Sequence, residues 1–211
     1  MKYNISELAE YRTQCDNKLR PSGTCGPTGA ANALLASDIP LDRFPANMQP
    51  EDYITSILQT NEAYERLKKQ DPGAKYNPWN TSYLIAWAVN KAVGKQVCKV
   101  ETLGIADMIF HLVKEESAIV AGGRFTAAGH FICIVGFETD QDDILGIESS
   151  HDVDLKQLKG IIIDDSWGDY RTHYKKHNGN DVLMPLADFR MIVMKGENTK
   201  TCQVYYRRYA A

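Results

Sequence analysis

The stretch QCDNKLRPSGTCGPTGAANALL, which occupies residues 14–35, decides how the rest of the sequence is interpreted. It begins as a polar loop with glycine and proline, and it leads into a run rich in small residues, 30–36, with high helix propensity. Pro27 is tolerated in a first helical turn, because the N–H that proline lacks would have no partner there. We therefore predict a helix over 25–36 that begins at Cys25.

A cysteine at a helix N-terminus is well placed to act as a nucleophile. Its thiolate is stabilised by the unpaired backbone N–H groups and by the positive end of the helix dipole. A buried cysteine in an ordinary first turn is the simpler interpretation of Cys25 taken alone. Residues further along the chain are needed to decide between the two.

Composition limits the classes of protein to which the chain can belong. Its 211 residues suffice for a sizeable core, and we expect a single domain over 1–211. A net charge of −3 argues against a nucleic-acid or membrane-surface partner. No uninterrupted apolar run approaches the roughly 18 residues of a membrane span, so we expect no integral membrane association.

The cysteines and the N-terminal segment indicate the compartment. The chain has five cysteines and no CxxC pair, which argues against a disulfide framework and a zinc knuckle. Residues 1–10 are polar and lack the apolar centre of a signal peptide. We expect synthesis in a reducing cytoplasm, which is compatible with later release to the cell wall by lysis or a signal-independent route. Metal binding by Cys15 and Cys25 is a distant alternative.

Apolar periodicity predicts helices first and strands second, which is an α+β pattern. The predicted helices cover 4–12, 25–36, 51–70, 82–93, 105–114 and 186–193, and the predicted strands cover 97–100, 118–121, 129–137, 144–147, 160–163 and 203–208. The run GHFICIVGF at 129–137 is almost continuously apolar, as in a central strand that is buried on both faces.

His130 stands near the start of that apolar run, directly after Gly129. A strand end holds a side chain rigidly, and a neighbouring glycine allows another group to approach closely. A functional role and a structural role fit His130 equally well when it is taken alone. The other histidines lie on predicted loops or helices, where solvated or satisfied imidazoles are expected: His111, His151, His173 and His177.

The third group of polar residues, DDSWG at 164–168, follows a predicted strand. A carboxylate there can accept the imidazole N–H and hold the ring in one tautomer, although an Asx turn that ends the strand is the simpler interpretation. Because strand side chains alternate between faces, at most one of the two aspartates points at the site. We choose Asp165, with Asp164 as the alternative, and we expect Trp167 either to shield the His–Asp pair or to pack in the core.

Together these residues form the set Gln14, Cys25, His130 and Asp165, which is the chain order of the papain-like peptidases. In that class an imidazole takes the proton of the thiol, and an acceptor group orients the imidazole. The oxyanion of the tetrahedral intermediate would be held by the Cys25 backbone N–H and the Gln14 side-chain amide.

Several motifs resemble those of the double-glycine-peptidase-like branch of the papain-like clan, which is related to the bacteriocin-leader peptidases and has many bacterial and phage members. QCDNK at 14–18 and TCGPT at 24–28 resemble the opening of that branch. GHF at 129–131 resembles its histidine motif, and IDDSWG at 163–168 resembles its Asp-Pro-Trp-Gly motif. The resemblance implies a papain-like fold, in which an N-terminal helical part packs on a C-terminal antiparallel sheet, and it puts the triad acid at Asp165.

The sequence departs from the family pattern at three places. The loop from Gln14 to Cys25 is longer than in papain itself. Ser166 stands where the family has proline, which loosens the turn that aims Asp165. Residues 51–94 resemble no part of the family pattern, and we interpret them as a helical insertion.

The resemblance implies hydrolysis of amide bonds by a Cys-His-Asp triad, with no metal or other cofactor. Its peptide substrate would be the stems or bridges of bacterial peptidoglycan, as for an endolysin. A protein-processing or effector protease is an alternative, and an acyltransferase of the transglutaminase type would use the same residues. A papain-like domain that has become an inactive binding module is the remaining hypothesis.

Overall fold

The computed structural model describes residues 1–73, 81–194 and 199–209. Within these ranges the chain forms six α-helices and seven strands of one antiparallel sheet, so the predicted α+β class is confirmed. The helices are α1 (Cys25–Ala36), α2 (Pro50–Leu58), α3 (Asn61–Gln70), α4 (Ser82–Val93), α5 (Ile105–Glu115) and α6 (Leu186–Ile192). The strands are β1 (Lys2–Asn4), β2 (Cys98–Leu103), β3 (Ile119–Gly123), β4 (His130–Thr139), β5 (Leu158–Asp164), β6 (Val182–Pro185) and β7 (Lys200–Tyr205).

The strands follow the order β2-β7-β3-β4-β5-β6 across the sheet. The short strand β1 pairs with the far half of β4, beyond the residues that pair with β3. Its close approach depends on Gly136, because a Cβ at that position would collide with the carbonyl oxygen of Tyr3. None of the described helices is both long and apolar enough to cross a lipid bilayer.

Helices cover both faces of the sheet, which explains the apolar run in β4. Cys133 and Val135 belong to the core that contains α1, α2 and α4. The alternating residues Ile132 and Ile134 belong to the core that contains α5 and α6. A strand that is buried on both faces carries apolar side chains at successive positions. The prediction of a buried central strand is therefore confirmed.

Helix α1 has the bounds that the sequence predicts, and it lies at the centre of the first core. Every residue from 26 to 34 is buried, since the helix is enclosed by the sheet on one side and by α2 and α4 on the other. A helix that is apolar all round occupies such a position. Small residues allow the close packing: a Cβ on Gly29 would lie 3.5 Å from the Val120 side chain.

The segment 51–94, interpreted as an insertion, contributes α2, α3 and α4 to the same core as α1, although 74–80 lie outside the described residues. The single helix predicted over 51–70 is two helices, because the side chain of Thr60 accepts a hydrogen bond from the Ala63 N–H and starts α3 anew. Whether the segment is an insertion relative to other proteins stays a prediction.

Two predicted elements are wrong, and in both cases an acidic or amide side chain forms a turn instead. The helix predicted over 4–12 is replaced by β1 and a turn, in which Asn4 Oδ1 accepts a hydrogen bond of 3.0 Å from the Ser6 N–H. The strand predicted over 144–147 is a turn, in which Asp143 accepts a hydrogen bond of 2.8 Å from the Gly146 N–H. Such side-chain bonds compete with regular secondary structure.

A buried carboxyl lies at the start of α2, beside the loop that leads to α1. Glu51 has no exposed surface, and neither of its carboxylate oxygens has a hydrogen-bond partner among the described residues. Burial raises the pKa of Glu51 from 4.5 to about 7, while the neighbouring Arg12 opposes the shift and Asp52 adds to it. Folding therefore favours the protonated form of this side chain.

Glu51→Gln is expected to weaken the pH dependence of folding. A carboxyl whose pKa is higher in the folded than in the unfolded state costs stability as the pH rises from about 4.5 to about 7. That cost amounts to about 3 kcal/mol at most, and glutamine does not incur it. Urea unfolding at pH 5 and pH 8 measures the difference, with Glu65→Gln as the control because Glu65 is exposed. An equal loss of stability in wild type and Glu51→Gln would contradict this account.

Candidate active site

The sheet topology brings the predicted site residues to one edge. Strand β4 begins at His130, and its antiparallel neighbour β5 ends at Asp164, which pairs with Cys133. The start of β4 and the end of β5 therefore lie side by side. Helix α1 packs on β4, and the thiol of Cys25 at its first residue reaches both His130 and the backbone N–H of Phe131.

Strand alternation explains which aspartate faces the histidine. Asp164 follows Ile163 and points to the opposite side of the sheet, where its carboxylate accepts a hydrogen bond of 2.9 Å from the Asp181 N–H. The next residue, Asp165, points back, and its Oδ1 lies 2.7 Å from Nε2 of His130. The structure thus brings Asp165 to the imidazole, as chosen from the sequence, and assigns Asp164 to a structural hydrogen bond.

The His130–Asp165 pair is almost completely removed from solvent, with 5% and 0% of the side-chain surfaces exposed. Burial alone would lower the pKa of His130, but its hydrogen bonds with Asp165 and Cys25 outweigh this effect and raise the pKa to about 9. Because Nε2 faces Asp165, Nδ1 is the ring nitrogen that is left for Cys25. The imidazole is therefore held in one orientation between an acceptor and the thiol.

Cys25 lies partly exposed at the N-terminus of α1. Burial raises the pKa of its thiol, but the hydrogen bond to His130, the charge of that imidazolium, and the N–H groups of Phe131 and Gly26 outweigh burial and lower the pKa. The fully buried Cys202 shows the opposite behaviour, since burial raises its pKa to about 12. The surroundings of Cys25 favour a thiolate, which is the reactive form.

The start of α1 leaves a backbone donor beside the thiol. The first helical hydrogen bond of α1 runs from the Thr28 N–H to the Thr24 carbonyl oxygen, so the N–H of Cys25 lies ahead of the helical ladder. The buried Asn17 donates to the hydroxyls of Thr24 and Thr28 at 2.7 and 3.0 Å. Asn17 therefore fixes the turn that presents Cys25.

Gln14 is buried between the loop that leads to Cys25 and the turn that follows Asp165. Its Nε2 donates to the Pro21 carbonyl oxygen at 2.8 Å, and its Oε1 accepts from the Ser166 hydroxyl at 2.9 Å. The amide nitrogen carries a second N–H, and the role of this N–H as an oxyanion donor stays a prediction. Ser166, the departure from the family's proline, supplies the hydroxyl that holds this amide.

Several hydrogen bonds hold the turn that carries Asp165. The backbone N–H of Trp167 donates to Asp165 Oδ1 at 3.0 Å. Tyr11 donates its hydroxyl proton to the Asp165 carbonyl oxygen at 2.6 Å, and Thr13 donates its hydroxyl proton to the Ser166 carbonyl oxygen at 3.0 Å. Side-chain hydroxyls of the N-terminal segment thus restrain the turn that a proline would restrain through its ring.

Aromatic rings other than Trp167 flank the histidine. Trp167 is 36% exposed, so a shielding role for its indole stays a prediction. The rings of Phe125 and Tyr174 meet His130 edge-on, with centroids 5.9 and 6.3 Å away. Burial and the nearby Asp165 carboxylate raise the pKa of Tyr174, which keeps its hydroxyl neutral. The sequence gives no indication of these two residues, since only the folded chain brings them to His130.

A cleft of about 390 Å³ opens beside Cys25 and His130. Part of its wall is bare backbone, because Gly122 and Gly123 at the end of β3 and Gly129 before β4 have no side chains. A Cβ on Gly123 would clash with the Phe125 ring at 2.6 Å, so the wall cannot easily carry a larger residue there. An extended peptide can therefore approach the thiol closely.

The described part of the chain offers no obvious set of metal ligands. No group of three histidine, cysteine, aspartate or glutamate side chains converges there. Cys15, predicted as a distant alternative ligand, is exposed on the turn Gln14–Asp16, whereas Cys25 is in contact with His130.

Comparison with known proteins gives no assignment. No protein-family model matches the sequence, and no curated protein matches it either. The function must therefore be argued from the chemistry of Cys25, His130 and Asp165.

Asp165→Asn is expected to lower catalytic activity by at least about a hundredfold, because the neutral amide no longer stabilises the positive charge of the imidazole. Asp164→Asn should have little effect, since the asparagine oxygen can still accept the Asp181 N–H. Initial rates of substrate cleavage by the two purified variants provide the comparison. The reverse ranking would move the acid to Asp164.

Proposed function

We propose that this chain is a papain-like cysteine peptidase that hydrolyses peptide bonds of the bacterial cell wall. The observation that carries the proposal is the chain of contacts from the Cys25 thiol to His130 and from Nε2 of His130 to Asp165 Oδ1 at 2.7 Å. A nucleophile in contact with a base that is itself oriented by a third group is the arrangement of nucleophilic catalysis.

The first half of the reaction forms an acyl-enzyme. The Cys25 thiolate attacks the carbonyl carbon of the substrate, and the oxyanion accepts hydrogen bonds from the Cys25 N–H and from the Gln14 amide. When the C–N bond breaks, His130 gives its proton to the leaving amine. A thioester between Cys25 and the acyl part of the substrate remains.

Water completes the reaction. Neutral His130 takes a proton from a water molecule, whose oxygen attacks the thioester carbonyl carbon. The carboxylic acid leaves, and the thiolate–imidazolium pair is restored. Asp165 holds the imidazole in one orientation throughout and stabilises its charged form.

The choice of the cell wall rests on the sequence resemblance, and the form of the cleft is compatible with it. Peptidoglycan peptides are short and lack regular structure, so they can enter an open cleft in extended form. The glycine wall near Cys25 offers backbone rather than bulky side chains to such a peptide. A folded protein substrate would first have to expose an extended segment.

Digestion of purified peptidoglycan tests the proposal. Peptidoglycan from several bacteria is incubated with wild type and with Cys25→Ala, and the soluble products are analysed by mass spectrometry. We expect new free amino groups and matching carboxyl groups with wild type only, and the product masses will name the bond. If neither protein releases products but a thiol-directed probe still labels Cys25, the proposed substrate would change from peptidoglycan to a protein. Neither release nor labelling would favour an inactive binding module.

A further inference from the structure

The cleft beside Cys25 has a charge that the mechanism does not use. Among the described residues, its lining contains two cationic side chains, Arg124 and Lys200, and no carboxylate. The whole chain carries a net charge of −3, so this local excess of positive charge runs against the composition. Cationic side chains that line a cleft attract anionic ligands and raise their local concentration.

Strand register places these cations beside the proposed nucleophile. In the pairing of β3 with β7, Val120 lies opposite Gln203, and the same register continued by three residues sets Gly123 opposite Lys200. In the pairing of β3 with β4, Gly123 lies opposite His130. Lys200, Gly123 and His130 all line the cleft, and Arg124 follows Gly123 directly.

The two cations lie on one side of the histidine. They are on the β3 and β7 side of His130, whereas Asp165 lies on its β5 side. A ligand that meets them therefore occupies the part of the cleft away from Asp165.

Both cations are available to a ligand. Arg124 is exposed and Lys200 is half-buried, and neither has a carboxylate within 4.0 Å in the described part of the chain. Arg124 is held by its backbone, since its N–H donates to the Ile192 carbonyl oxygen at 2.9 Å. A rigid backbone beneath two long cationic side chains suits a planar anionic group that must be positioned rather than merely attracted.

We propose that Arg124 and Lys200 bind a carboxylate of the substrate near the bond that Cys25 attacks. This inference rests on the proposed function and narrows its substrate to acidic peptides. Free α-carboxylates and acidic side chains share the chemistry that the two cations recognise. Stem peptides of peptidoglycan carry such carboxylates.

Alkylation of Cys25 tests the site without a known substrate. Iodoacetate carries a carboxylate, iodoacetamide is its neutral counterpart, and mass spectrometry of the peptide that contains Cys25 separates its reaction from that of exposed Cys15. The rate constant for iodoacetate is divided by that for iodoacetamide, and this ratio is insensitive to general changes in thiol reactivity. We expect Arg124→Gln/Lys200→Gln to lower this ratio by about threefold to tenfold, since two attractive charges are removed. Arg124→Lys/Lys200→Arg should keep it.

The matched control removes two positive charges far from the cleft. Lys2 pairs with Glu138 near the far end of β4, and Lys156 precedes β5 at the same end, about 26 Å from His130. Lys2→Gln/Lys156→Gln should leave the ratio as in wild type. An unchanged ratio in Arg124→Gln/Lys200→Gln would overturn the carboxylate site. A Cys25 that reacts with neither reagent at neutral pH would instead overturn the proposed function.

The source of the carboxylate is distinguished by two peptides. Acetyl-Gly-Gly-Gly has a free terminal carboxylate, and acetyl-Gly-Glu-Gly amide has only an acidic side chain. The peptide that better protects Cys25 from iodoacetamide identifies the preferred source, and equal protection indicates a site that accepts both. Protection should fall in Arg124→Gln/Lys200→Gln.

Discussion

Replacing Cys25 by alanine is expected to abolish release of peptides from peptidoglycan, with a loss of at least about a thousandfold. The substitution removes the thiol that interacts with His130, so no nucleophilic atom remains beside the base to attack the substrate. The fold should survive, because the thiol lies partly exposed at the first residue of α1 and contributes little to the core. Rates of product release and urea unfolding measure the two properties separately.

Cys15→Ala is the matched control for this variant. Cys15 precedes Cys25 in the same loop, and its thiol is exposed. Its loss should leave the cleavage rate within about twofold of wild type, since an exposed side chain away from the site contributes little. Activity retained in Cys25→Ala would remove the nucleophile from the account and with it the proposed peptidase.

His130→Ala is expected to reduce activity to the same level as Cys25→Ala, and the double variant should be no less active than either single one. When two residues act as one unit, the loss of either one abolishes the contribution of both, so the effects of the two substitutions on the rate are strongly non-additive. Without the imidazole the thiol returns towards its ordinary pKa, and the leaving amine has no proton donor. Cleavage rates of the three variants, with exposed His151→Ala as the control, test the coupling.

The same substitution should also destabilise the fold, by about 3 kcal/mol, because it leaves the buried Asp165 carboxylate without its charged partner. His130→Ala/Asp165→Ala is designed to relieve this strain, since it removes both members of the pair. Urea unfolding compares the stability of the two variants.

Additive losses of activity in Cys25→Ala and His130→Ala would show that the two residues act independently, which would contradict a triad.

Local patterns predicted the parts of the fold that local forces determine. The helix over 25–36 has the predicted bounds, because small residues and Pro27 act within one turn of the chain. The strand after His130 was predicted from its apolar run. The turn at 144–147 was missed, because its apolar residues resemble a strand and only the Asp143 side chain shows otherwise.

The residues of the candidate site also fall into two groups: those that the local sequence indicates and those that only folding brings together. Cys25, His130 and Asp165 could be proposed from the sequence because each stands at the boundary of a recognisable element. Phe125 and Tyr174 could not, because their contacts with His130 join segments that meet only in the folded chain. Arg124 and Lys200 could not be proposed either, because they follow or begin strands that are far apart in the chain and reach the same cleft only after folding.

Non-local hydrogen bonds explain why the departure at Ser166 is tolerated. A proline there would restrict the turn by its ring, whereas serine leaves the backbone less constrained. The bonds from Tyr11 and Thr13 supply the constraint, and the Ser166 hydroxyl in addition binds Gln14. Ser166, which departs from the family motif, therefore links the turn after Asp165 to Gln14.

The most direct test of the central claim is the pH dependence of Cys25 alkylation by iodoacetamide. A lowered thiol pKa and a raised imidazole pKa favour the thiolate–imidazolium pair over the neutral pair. We predict that the alkylation rate in wild type rises with a midpoint below that in His130→Ala, which rises near the ordinary cysteine pKa of about 8.5. A wild-type profile with a single rise near 8.5, indistinguishable from that of His130→Ala, would contradict an imidazole-activated Cys25.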